Sequence, residues 1–192
     1  MTRCRPINHA ANSGRHSVAV RGDDLYETPP EAVRALLKVE SLPESIWEPA
    51  CGPGAIVGVL RAAGHRVYAT DLRDYGCPDS RSRIDFLREW AFPSPVSAIV
   101  TNPPYKQAGQ FVAHALTLCP RVVMLLRLAF LESERRSSIL ENCGLARVHV
   151  FRKRLPMMHR HGWQGPRASS SIPFAWFVWD RAHRGKTELD RI

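Results

Sequence analysis

From Leu25 onward the sequence alternates short apolar runs with segments of helical character, and this alternation constrains the fold more than any other feature. Such alternation builds strand–helix–strand units, whose strands run parallel and are covered by helices on both faces. Residues 28–31 (TPPE) open a helix that runs to about residue 38, with Thr28 as the cap, Pro29 at the first helical position and Glu31 three residues after the cap. A strand over 45–49 ends in the turn 50–54 (ACGPG), a helix over 55–63 stops at Gly64, and a strand over 66–70 closes on Asp71. Further strands follow over 82–87 (the weakest of the set), 96–101 and 121–129, with helices over 107–118 and 132–142, the latter ended at Gly144. Residues 146–152 and 172–179 are expected to pair antiparallel and finish the sheet. The expected fold class is therefore α/β with a mostly parallel sheet.

A chain of 192 residues with 44% hydrophobic and 23% charged residues can bury one core, so a single domain is expected over 25–192. Residues 1–24 carry four arginines and no sustained periodicity, and read as a basic flexible arm. The 27 Lys+Arg against 18 Asp+Glu give a net charge of +9, which favours a polyanionic partner such as nucleic acid. Only four of the 27 are lysines, so a coding bias toward arginine is the plain alternative. The five cysteines form no C-x-x-C pair, which fits a reduced, cytoplasmic compartment. The longest apolar run, 122–131, is interrupted by Arg127 and falls short of the roughly 20 residues of a membrane span. No signal peptide is legible, and no His, Cys, Asp or Glu spacing argues for a metal.

Two stretches carry chemistry. Gly52-Pro53-Gly54 lies between a strand and a helix, where a glycine turn lets a ligand approach the backbone at the carboxyl end of a parallel strand. The dinucleotide pattern would need glycine at Val57, so a nucleoside without phosphates is the better candidate. Glu48, just before the turn, can meet an ammonium or backbone amides. Asp71, at the end of the next strand, is placed for a ribose diol, with a helix cap as the ordinary alternative. The second stretch is Asn102-Pro103-Pro104-Tyr105. Two successive prolines end a strand and forbid an immediate helix, so they make a stiff turn. That turn offers two acceptors, the Asn102 side-chain oxygen and the Pro103 carbonyl, to an exocyclic amine whose lone pair is delocalised into a purine ring. Tyr105 is then placed to stack on the base after it leaves the duplex. The alternative is a rigid turn with a surface tyrosine.

The ordered set Tyr26-x-Thr28-Pro29, 47–54 (WEPACGPG), Asp71-Leu72, Asp85-Phe86 and 101–105 (TNPPY) resembles the motifs of S-adenosylmethionine-dependent adenine-specific DNA methyltransferases. The small, stand-alone or phage-type members are the nearest in pattern. The resemblance implies a Rossmann-like class I methyltransferase fold, a three-layer αβα sandwich with a seven-stranded sheet, mostly parallel, whose last strand is antiparallel. Carried over by residue, Tyr26, Thr28 and Pro29 would line the methionine end of the cofactor. Glu48, Pro49, Gly52 and Gly54 would form the glycine-turn site, Asp71 would hold the ribose with Leu72 also cofactor-binding, and Asp85 with Phe86 would bind the cofactor adenine. Asn102, Pro103, Pro104 and Tyr105 would hold the target adenine, with Asn102 also beside the cofactor. A cytosine acceptor is disfavoured, since enzymes of that kind resemble this pattern with serine in place of Asn102. Acceptors that keep the same turn are an RNA base amine or a protein glutamine amide, and a non-catalytic nucleic-acid-binding protein on the same fold is the competing class.

Members of that family usually carry a sizeable target-recognition segment, and none is legible here. Its best substitute is 147–167, with six Arg/Lys and no acid, centred on a basic loop, 152–171, between the last two expected strands. Arg152, Lys153, Arg154 and Arg160 are the candidate phosphate contacts, with Trp163 and the methionines at 157 and 158 as stacking or wedge groups. A solvated basic tip is the alternative. Arg127, inside an apolar run, needs a partner, either Glu132 or a substrate phosphate. Trp176 and Trp179 read as core, and His114 as an ordinary surface or packed histidine.

Overall fold

The computed structural model describes residues 25–91, 96–157 and 171–192. Four helices and seven strands follow in the order α1 (Pro30–Val39), β1 (Ser45–Glu48), α2 (Ala55–Ala62), β2 (Arg66–Ala69), β3 (Ala98–Thr101), α3 (Ala108–Leu118), β4 (Arg121–Arg127), α4 (Ser137–Glu141), β5 (Leu145–Val150), β6 (Phe174–Asp180) and β7 (Glu188–Arg191). They form one sheet ordered β2-β1-β3-β4-β6-β5-β7. Strands β1 to β4 pair parallel, β6 runs antiparallel to both β4 and β5, and β7 pairs parallel with β5. Among the described residues β6 is thus the one reversed strand. The chain order reverses between β1 and β3, and their adjacent carboxyl ends are the topological switch point where ligands of open α/β sheets bind.

The central strands are buried on both faces, which explains their continuous apolar runs. Along β4, Val122, Met124 and Leu126 face the layer holding α3 and α4, while Val123 and Leu125 face the layer holding α1 and α2. Along β6, Phe177 and Trp179 point to the first layer, Trp176 and Val178 to the second. Both tryptophans are core, as expected, and each indole finds an acceptor: Trp176 Nε1 donates to the Ala32 carbonyl at 2.9 Å and Trp179 Nε1 to the Ile139 carbonyl at 2.7 Å.

Four local expectations are corrected. Helix α1 starts at Pro30, with Pro29 as an extended N-cap (φ −58°, ψ 135°) and no side-chain capping bond. A residue before proline is driven out of the α region, so the second proline denies Pro29 the helical position. Residues 82–87 are not a strand. Arg83 has φ 62°, Arg81 makes one bridge to Thr70, and a single 3-10 turn, Phe86–Arg88, follows. The charged segment 132–142 is interrupted at Ser133 (φ 112°), leaving the 3-10 turn Glu134–Arg136 and the five residues of α4. Finally, β5 and β6 do pair antiparallel, but β7 closes the sheet, lying exposed beside β5.

At the amino end of β4, opposite the switch point, Glu40 is buried at 5% exposure and collects four bonds. Arg121 Nη2 lies at 2.6 Å, Arg147 Nη2 at 3.0 Å and His149 Nε2 at 2.8 Å, and Arg147 Nε completes a two-pronged contact. Burial alone would raise the Glu40 pKa. The bonds from His149 and Arg147 outweigh it and bring the carboxyl down to about 2.

Candidate active site

A cavity of about 280 Å³ opens at the carboxyl ends of β1 and β3. Its walls include Tyr26, Thr28, Pro49, Gly52, Asp71, Leu72, Asp85, Phe86, Asn102, Pro103, Pro104 and Tyr105. The sequence motifs, spread over some eighty positions, therefore meet at one place. Pro29, Glu48 and Gly54 do not form its wall and act from behind it.

The glycine turn is fixed from two directions. Gly52 has φ 51°, and its N–H donates to Asp71 Oδ2 at 2.9 Å. Gly54, the left-handed N-cap of α2 at φ 96°, leaves room for Cys77: a Cβ there would lie 2.8 Å from Cys77 Sγ. Gly54 is thus required by packing rather than by direct approach of a ligand. The other Asp71 oxygen, Oδ1, accepts the Arg73 N–H at 3.0 Å. These two backbone donors hold the carboxylate at the cavity wall. Leu72 beside it is 60% exposed, an apolar surface offered to the cavity. Asp85 caps the 3-10 turn through Leu87 N at 3.1 Å. Phe86 reaches the cavity but is 2% exposed, packed edge-on against Trp47 and His114 and tilted against Phe111. His114 is a packed histidine whose Nε2 lies 2.9 Å from the Glu89 carbonyl.

Glu48 is fully buried beneath the turn, with Oε1 accepting the Ala50 N–H at 3.2 Å. Its Oε2 has no hydrogen-bond partner. Burial pushes its pKa up to about 8, and the Asp71 carboxylate adds to the shift. The Thr101 hydroxyl and the Ala50 N–H oppose the rise without cancelling it. Burial, then Glu48 and Cys77, also push the Cys51 thiol upward, so it stays protonated and inert.

Asn102 is held by two side contacts. Its Nδ2 donates to the Tyr26 carbonyl at 3.0 Å and to Thr28 Oγ1 at 3.1 Å. A carbonyl can only accept, so this pair settles which way the amide points. The acceptor oxygen Oδ1 is left buried at the cavity with no partner. Thr28, freed from capping α1, and Tyr26 therefore orient Asn102. Tyr26 also stacks on Tyr105, with ring centroids 5.0 Å apart and planes 29° from parallel.

Sequence reasoning missed one neighbour of the turn. Arg127 forms no ion pair with Glu132. Strand β4 ends at it, the side chain is exposed, and its guanidinium carbon sits 4.4 Å from the centre of the Tyr105 ring. The signal available was its position in β4, which ends beside β3 at the site. Arg152, Lys153 and Arg154 are exposed just beyond β5, at the same end of the sheet as the cavity. Met157 is not a wedge: it is 2% exposed and packs with Leu155 in the core beside α1. Arg160 and Trp163 lie outside the described residues, as do residues 1–24. Among the described residues no group of His, Cys, Asp or Glu could hold a metal ion, and no helix is long and apolar enough to cross a membrane.

No family model matches the sequence, and no curated protein matches it significantly. Solved structures do match in fold. A protein assigned as the modification subunit of a type I restriction enzyme, from Vibrio vulnificus YJ016, superposes with a TM-score of 0.60 at 18% identity, over 88% of this chain and 47% of that one. A protein assigned as an RNA methyltransferase, from Pyrococcus horikoshii, gives 0.56 at 13% identity, over 78% and 81%. Magnesium protoporphyrin IX methyltransferase from Synechocystis PCC 6803, solved with bound S-adenosylmethionine, gives 0.52 at 14% identity, over 79% and 77%. The fold is that of Rossmann-like methyltransferases. The chain spans about half the length of the restriction-enzyme subunit, and at these identities the methyltransferase likeness is one of architecture.

Proposed function

We propose that this protein transfers the methyl group of S-adenosylmethionine to the exocyclic amine of adenine in DNA. One observation carries the reading: Asn102, which lines the cavity, is locked through Nδ2 and its Oδ1 stands buried and unpaired. A buried acceptor without a donor is costly, and an incoming N–H satisfies it. The residues present also fit the cofactor. Asp71 offers a fixed carboxylate to ribose hydroxyls, Leu72, Asp85 and Phe86 line the wall for its adenine, and the partnerless Oε2 of Glu48, buried behind the glycine turn, is the acceptor for a methionine ammonium, whose charge would ionise the carboxyl.

When bound, the cofactor supplies an electrophilic methyl on a sulfonium centre. The chain's own residues align the acceptor. Asn102 Oδ1 and the Pro103 carbonyl accept the two N–H bonds of the amine, which localises its lone pair and aims it away from the ring plane. Pro103 and Pro104 keep the two acceptors in fixed geometry, so the gain is one of orientation. Tyr105 gives an aromatic face to a base taken out of the duplex. The net charge of +9, and exposed Arg152, Lys153 and Arg154 at the cavity end of the sheet, favour a polyanionic acceptor over a protein amide. DNA is the reading taken here, on the motif pattern and the modification-subunit neighbour. RNA, which another neighbour's assignment favours, is the rival. Incubation with methyl-labelled cofactor and, separately, unmethylated duplex DNA, total RNA and protein extract tests it. Label in DNA is expected, and label confined to RNA or protein replaces the acceptor while keeping the chemistry of the turn.

A further inference from the structure

The proposed reading needs a face of Tyr105 for the target base, yet in this structure the ring already has three companions. Tyr26 stacks on it, Phe174, itself buried at the start of β6, packs at a tilt with ring centroids 5.7 Å apart, and the Arg127 guanidinium lies over it at 4.4 Å. One of them must give way. Tyr26 is anchored: its carbonyl fixes Asn102 at 3.0 Å, and its side chain packs against the core beside α1 and α2. Arg127 is the opposite case. Its side chain is exposed at the end of β4, and among the described residues no carboxylate pairs with it. An exposed guanidinium over an aromatic ring is weakly held and readily rehydrated.

We propose that Arg127 is the residue a target base displaces from Tyr105, and that its freed guanidinium then binds a backbone phosphate flanking that base. The inference rests on the nucleic-acid reading above and assigns that site a second role, coupling base capture to strand grip. Its logic is an exchange. With no substrate bound, Arg127 covers the apolar ring and keeps it ordered. With the base stacked, the cation loses its ring and meets the polyanion that delivered the base, to which a planar guanidinium bonds in two-pronged fashion. The neighbouring strand β6 begins at Phe174, paired in register with Arg127, so Arg127 lies at the same end of the sheet as the exposed Arg152, Lys153 and Arg154 that follow β5.

The exchange predicts opposite signs for two ligands, which a structural role for Arg127 does not. On polymeric substrate, Arg127→Ala should raise KM several-fold while kcat stays within about twofold. Its salt dependence of binding should flatten by about 0.9 log unit on duplex DNA, or about 0.7 on single strands. Free deoxyadenosine has no phosphate, and as a competitor of methylation it should bind Arg127→Ala several-fold better than wild type, because nothing has to leave the ring. Arg127→Lys should keep the wild-type salt slope. Affinity for S-adenosylmethionine, measured alongside, should be the same in all three and reports that the variants are folded. Parallel assays on unmethylated genomic DNA and on total RNA identify which phosphodiester the arginine meets. An unchanged salt slope in Arg127→Ala overturns the phosphate contact, and an unchanged deoxyadenosine inhibition constant overturns the displacement, in each case with the methyltransferase reading intact. A wild-type protein that labels neither polymer removes that reading and this proposal together.

Discussion

Glu40 and Glu48 are both buried glutamates, eight positions apart, and the chain treats them in opposite ways. Glu40 follows α1 at the amino end of the sheet and is saturated by two arginines and a histidine, so its carboxyl falls to about 2. Glu48 ends β1 at the carboxyl end, has one backbone donor and a partnerless oxygen, and its carboxyl rises to about 8. The difference separates a carboxylate whose two oxygens are both paired within the fold from one with an oxygen left unpaired. The same contrast holds for Asn102, whose donor side is filled and whose acceptor side is open.

If that division is right, damage at the two ends of the sheet should read out in different assays. Glu40→Ala should have the largest effect, a loss of about 3 kcal/mol or more in chemical denaturation, because it leaves Arg121, Arg147 and His149 facing one another without their anion. Its folded pKa is depressed, so the stability it contributes is complete above its unfolded value near 4.5 and is lost as pH falls from there toward 2. Asn102→Ala should do the reverse, lowering the methylation rate by a hundredfold or more with denaturation midpoint and cofactor affinity little changed, as single-turnover and calorimetric measurements will separate. Asp71→Ala should weaken S-adenosylmethionine binding by tenfold or more in calorimetry, the loss of charge-assisted bonds of about 1.5 to 3 kcal/mol. The smallest effect is the sharpest test of the contrast. Glu48 has a raised folded pKa, so its contribution to stability is greatest below about 4.5 and declines as pH rises through 8, and Glu48→Gln should flatten that decline. An ammonium beside Glu48 favours the ionised form, so cofactor binding near pH 7 should release a proton from wild type and none from Glu48→Gln. Calorimetry in buffers of different ionisation enthalpy reads this directly.

The parts of this design legible in the sequence are those written in local chemistry. The Asn102-Pro103-Pro104-Tyr105 turn, the glycine turn and Asp71 announce themselves because prolines, glycines and a strand-end acid have few other uses in that order. The alternating apolar runs likewise gave the αβα layers, the parallel strands β1 to β4 and the β5–β6 pair. What stayed hidden depends on contacts between distant segments. Thr28 reads as a helix cap from its own neighbours, yet its hydroxyl is taken by Asn102, 74 positions away. Arg127 reads as a buried charge in an apolar run, whereas its exposure depends on where β4 stops. Backbone breaks at Arg83 and Ser133, at positive φ with no glycine to signal them, erased an expected strand and split an expected helix. The exposed strand β7 has too few apolar residues to announce itself and is set by pairing with β5.

The central claim is that the open acceptor of Asn102 receives an adenine amine. The most direct test is nucleoside mass spectrometry of DNA from a host without adenine methylation, expressing either the wild-type chain or Asn102→Ala. N6-methyladenine is expected in the first and background in the second, with both proteins folded and their S-adenosylmethionine affinities within a few-fold of each other. Equal N6-methyladenine in the two, or none in the first despite cofactor binding, would contradict that claim.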